Sequence, residues 1–79
     1  VYVEFQLPQG ISTRVMANAI KADIAIWVNR YQIPDSAYSQ KTIKYTHRLG
    51  FNDEKYFSLF SMTWDSFDFQ IVNIANERY

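Results

Sequence analysis

The sequence predicts an α+β domain: a single helix packed on one face of a four-stranded, mainly antiparallel sheet, in the chain order β-α-β-β-β. Three observations carry that expectation. Residues 1–7 alternate between apolar and polar with the period of a half-buried strand. Residues 13–31 hold apolar groups at helical spacing. Residues 42–74 are rich in aromatic and β-branched side chains, broken only by short acidic or Ser-containing turns.

The first strand places Val1, Val3, Phe5 and Leu7 on one face and Tyr2, Glu4 and Gln6 on the other. Pro8 and Gly10 end it, and Ser12 or Thr13 is placed to cap the helix that follows. That helix is about 28 Å long at 1.5 Å per residue. At 100° per residue it carries two apolar stripes. The wide one, Met16, Ile20, Ile24, Trp27, Val28 and Tyr31, suits a sheet. The narrow one, Val15, Ala19, Ala22 and Ile26, has the spacing of a helix-helix seam, with two alanines at its centre. Ala is also the best helix former and needs no partner where it is exposed, so Val15 and Ile26 carry the argument for a seam. Pro34 stops the helix, and the segment to Gln40 reads as loop.

Thr42–Phe51 is expected to be one continuous strand, with Tyr56–Trp64 as the central strand and Phe67–Ile74 as its second hairpin partner. An even connection at Asn52–Lys55 and a tip at Asp65-Ser66 select the same parity of the central strand. Tyr45, His47, Phe60, Met62, Trp64, Phe67, Phe69 and Ile71 then face the helix. Lys44, Thr46, Arg48, Leu59, Asp68, Gln70 and Val72 face outward.

At 79 residues with no cysteine, residues 1–79 form a single small domain that relies on its core. Fourteen aromatic residues supply it: six Phe, six Tyr and two Trp. Eight basic and eight acidic residues cancel, so no global field draws in nucleic acid or an anionic membrane. No apolar run is long enough to span a bilayer, no basic-then-apolar leader precedes the first strand, and cysteine is absent. The expectation is a soluble, cytoplasmic protein.

The inventory for catalysis is thin. His47 is the sole histidine, and its inward parity favours a structural role over chemistry shared with outward-facing Arg48. The carboxylates are scattered, no metal-ligand spacing or glycine-rich phosphate loop is present, and no cofactor or small-molecule substrate is implied. The expectation is therefore a non-enzymatic protein-binding module, a regulator or inhibitor that docks on a larger protein or forms a homodimer. Its interface would be Val15, Ala19, Ala22 and Ile26, rimmed by Asn18 and Arg30. Arg14 and Asn29 extend that rim, and a free sheet edge at Thr42–Phe51 or the first strand offers another route. The alternative is weak nucleic-acid binding through a basic strip of Lys41, Lys44 and Arg48 on the open sheet face, a face short of stacking aromatics.

Overall fold

The computed structural model describes residues 1–65 and 69–75. The elements run β1 (Tyr2–Gln6), α1 (Thr13–Tyr31), a 3-10 turn (Asp35–Ala37), β2 (Tyr38–Ile43), β3 (Thr46–Phe51), α2 (Glu54–Thr63) and β4 (Ile71–Ala75). The strands make one antiparallel sheet in the order β2-β3-β1-β4. The class is α+β as expected, but the chain order is β-α-β-β-α-β. This is the split β-α-β arrangement of ferredoxin-like folds, in which each β-α-β unit is parted by a strand of the other. Such a topology carries no function of its own.

The largest correction falls on Tyr56–Trp64, which lies in helix α2 as far as Thr63, with Trp64 as its C-cap, and is not the central strand. Its start explains why. Asp53 sits at the N-cap with extended backbone, and its carboxylate accepts from the Lys55 amide at 3.0 Å, while Glu54 lies in the first turn beside the helix's positive end. Apolar groups at both parities fit a short buried helix as well as a mid-sheet strand. Phe60 is fully buried, and Tyr56 and Trp64, one turn to either side, pack half-buried against the core.

The second correction concerns Thr42–Phe51, which is the end of β2, a two-residue turn at Lys44-Tyr45, and β3. A two-residue turn reverses the parity of the preceding strand. Thr42 therefore pairs with His47 and Ile43 with Thr46, so Tyr38, Gln40 and Thr42 share the inner face with His47, Leu49 and Phe51. Lys44 takes the positive φ of 53° that this turn needs, a conformation uncommon outside glycine, asparagine and aspartate. The loop expected to reach Gln40 is a 3-10 turn followed by β2. Consequently β1 and β3 are interior strands, and the sheet edges are β2 and β4. β4 pairs with β1 across a bulge at Val72, not with residues 56–64.

Helix α1 has its expected bounds and inner stripe. Ile20, Ile24, Trp27 and Val28 are buried with Ala17, while Met16 packs at the margin and Tyr31 is exposed. Ser12 occupies the N-cap position without a side-chain bond. The C-terminus closes on Gln32 in the left-handed conformation. The Ile33 amide donates to the Val28 carbonyl at 3.0 Å and the Ile33 side chain is buried.

The core joins the inner face of the sheet, Val3, Phe5, Leu7, Leu49 and Phe51, to the helices. Phe60 is its hub, with ring centroids 4.8 Å from Trp64, 4.9 Å from Trp27, 5.5 Å from Phe51 and 6.2 Å from Phe5. The Trp27 indole N–H donates to Thr63 Oγ1 at 2.8 Å, and that hydroxyl donates to the Leu59 carbonyl, so one polar chain ties α1 to α2. The Trp64 indole donates to the Phe69 carbonyl at 2.9 Å. Phe69 and, partly, Ile71 join the core as expected, whereas Met62 at 83% and Tyr45 at 42% are exposed. Phe67 and Asp68 lie outside the described residues, as do half of the expected Asp65-Ser66 tip and the chain end, 76–79.

Candidate protein-binding surface

The face of α1 turned away from the sheet carries the narrow stripe. Val15 and Ile26 are each 57% exposed, and Ala19 and Ala22 between them are exposed as well. Asn18 and Arg30 flank the stripe in solvent, with Arg14 and Asn29 beyond them. All six expected interface residues therefore fall on one helix face, outside the core. The stripe is symmetric along the chain. Its steps are four, three and four residues, and its side chains run large, small, small, large. An antiparallel copy of the same helix would set Val15 against Ile26 and Ala19 against Ala22, the reciprocal pairing that a two-fold interface requires.

The open sheet face is organised in rows read from the ladder registers. The central row runs Lys41, Arg48, Glu4, Asn73 across the four strands. Arg48 Nε lies 3.0 Å from Glu4 Oε2, and its guanidinium sits 5.0 Å from the centre of the Tyr2 ring. Asn73 Nδ2 donates to Glu4 Oε1 at 2.6 Å. Hydrogen bonds from Asn73 and then Arg48 hold the Glu4 carboxyl below the usual carboxylate range. Lys41 is exposed at the end of this row, while Lys44 sits at the hairpin tip. Lys41 and Arg48 are thus ladder neighbours, Lys44 lies apart from them, and the acid Glu4 follows in the same row. Leu59 belongs to α2 and Val72 to the bulge, so neither joins the outward face of the sheet as expected.

His47 is the one fully buried polar residue among those described. The Thr42 hydroxyl pairs with Nδ1 at 2.7 Å and Gln40 Oε1 with Nε2 at 2.8 Å. The amide oxygen can only accept, so Nε2 carries the proton and Nδ1 accepts from Thr42. Burial lowers the imidazole pKa to about 4, and the Lys21 ammonium acts in the same direction. Both nitrogens are occupied and the ring is a weak base, so the arrangement suits structure better than proton transfer at neutral pH. Among the described residues no group of three or more His, Cys, Asp or Glu side chains is placed to hold a metal, and no helix is long and apolar enough to cross a membrane.

The chain matches no family model, no curated protein and no solved structure.

Proposed function

We propose that this chain is a small non-enzymatic protein-binding module whose outer α1 face pairs with a second copy of itself, acting as a regulator or inhibitor in that homodimeric form. One observation carries the proposal: a helix that already buries Ile20, Ile24, Trp27 and Val28 in the core also exposes Val15 and Ile26 on its far side, with only alanine between them. Burying those two aliphatic side chains contributes favourably at about 25 cal/mol per Å² of apolar surface, and the central alanines let the helix backbones approach closely. The mirror spacing of the stripe favours a copy of this chain over an unrelated helix. The symmetric helix stripe is preferred to the nucleic-acid alternative, because Glu4 already pairs with Arg48 and, among the described residues, the open face offers only Tyr2, itself buried, as an aromatic in its rows.

The test is solution mass by light scattering over a dilution series. Association should raise the mass above the 9.4 kDa of one chain and toward twice that value. A mass that stays at one chain at every concentration rules out self-pairing. Nucleic-acid binding that weakens in Lys41→Ala with Arg48→Ala and falls with added salt would favour the alternative.

A further inference from the structure

We propose that His47 is an acid-sensitive latch on edge strand β2, so that protonation of its ring frees β2 from the sheet while β1 and β3 stay paired.

The strands are held down by different means. β1 is fixed by Val3, Phe5 and Leu7, all without solvent exposure, and β3 by Leu49 and Phe51. β2 contributes Tyr38, Gln40 and Thr42 to the same face, and none of them is fully buried. Two of these three side chains bond to the two nitrogens of one imidazole. Apart from its backbone ladder, the inner face of β2 is therefore secured by Tyr38 and by His47.

The same contacts decide what a proton does. With Nε2 donating to Gln40, an added proton must go to Nδ1, where the Thr42 hydroxyl now donates. Thr42 must turn its own proton away, and a cation is created in a site closed to water. Across the ladder the ring's neighbour on β1 is Phe5, which offers no charge. The side chains from β2 are neutral, and the charged group acting on the ring from α1 is Lys21, which repels it. Among the described residues, burial and Lys21 both act against the charged ring, and no carboxylate offsets them in its pKa. Beyond β2 the sheet ends, so releasing this one strand is the shortest way to bring water to the ring.

The sign follows from linkage. A ring whose pKa is lowered in the closed strand and ordinary in the open one stabilises closure fully above about pH 6.5. That contribution is lost as pH falls toward 4, and no further loss follows below it. From pH 7 to pH 4.5 the opening equilibrium should rise on the order of a hundredfold. This device is independent of the helix stripe.

Amide hydrogen exchange resolved by residue tests it. The β2–β3 ladder amides should exchange through an opening less costly than global unfolding, the limit reported by the β1–β3 ladder, and their protection should drop about a hundredfold from pH 7 to pH 4.5 after correction for intrinsic rates. His47→Gln, which keeps hydrogen-bonding capacity without titrating in this range, should abolish the drop. Three results would each overturn the latch: β2 protection independent of pH, β2 protection equal to that of β1 at every pH, or the same drop in the variant. Where the variant does not fold, titration of the His47 ring by NMR decides in its place. Onset of protonation near pH 4 supports the latch, and an unshifted value near 6.5 removes it.

Discussion

Helix α1 presents two apolar faces that the fold treats in opposite ways. The inner face sets Ile20, Ile24, Trp27 and Val28 against the sheet and α2, whereas the outer face leaves Val15 and Ile26 more than half exposed. Both look alike as spacing in the chain. What separates them is size: the inner face brings Trp27 and three β-branched residues at its contact, while the outer face has alanine at its centre. The wider, bulkier stripe wins the sheet because it removes more apolar surface from water. The narrower one is left in solvent.

Substitutions on the two faces should differ sharply in cost. The largest effect belongs to the hub against which the inner face packs. Phe60→Ala should cost about 3–5 kcal/mol in denaturant unfolding, which leaves a domain of this size largely unfolded. Ile24→Ala, on the inner face itself, should cost about 2–5 kcal/mol by the same measurement. A cost below about 1 kcal/mol for either would mean that the inner stripe is not the core.

Acid comes next. His47 is kept neutral in the fold by burial, with a pKa of about 4 against an ordinary value of 6.5. Stability from this source is complete above pH 6.5 and lost toward pH 4, about 3 kcal/mol in all. Glu4, held below its usual range by Asn73 and Arg48, adds a loss in the same direction at lower pH. Denaturant midpoints at pH 7.5 and 4.5 should show the first window in the natural chain and not in His47→Gln.

Smaller still is the polar tie between the helices. Thr63→Val leaves the Trp27 N–H without an acceptor, and unfolding should show a loss of about 1–3 kcal/mol. The smallest effect on stability is expected at the outer face, where Ala19→Glu with Ala22→Glu should move unfolding by about 0.5 kcal/mol or less.

Much of this architecture is legible in the chain. The strict alternation of residues 1–7 and the helical spacing of 13–31 are single-period patterns, and both elements form where they point. Two signals are ambiguous for physical reasons. The run from Tyr56 to Trp64 is apolar at both parities, and only Asp53 at its cap and the four-residue step Tyr56, Phe60, Trp64 distinguish a helix from a buried strand. The turn at Lys44-Tyr45 lacks the Gly, Asn or Asp that ordinarily marks a positive φ, so β2 and β3 read as one strand. That turn inverts the faces of Thr42 and Ile43, and the first half of β2 reads as loop. Hence Gln40 and Thr42, the partners of His47, are not visible as such in the sequence, although the inward side of His47 is. The candidate surface depends on α1 alone, which is why its residues fall together on one exposed face.

The most direct measurement sets the natural chain and the Ala19→Glu, Ala22→Glu variant side by side in light scattering over the same dilution series, with circular dichroism on each sample. The natural protein should show a mass above one chain that falls on dilution, the variant a mass of one chain, and both the same spectrum. Loss of structure in the variant would place the stripe in the core. Equal masses for the two proteins would show that the outer face of α1 does not join two copies.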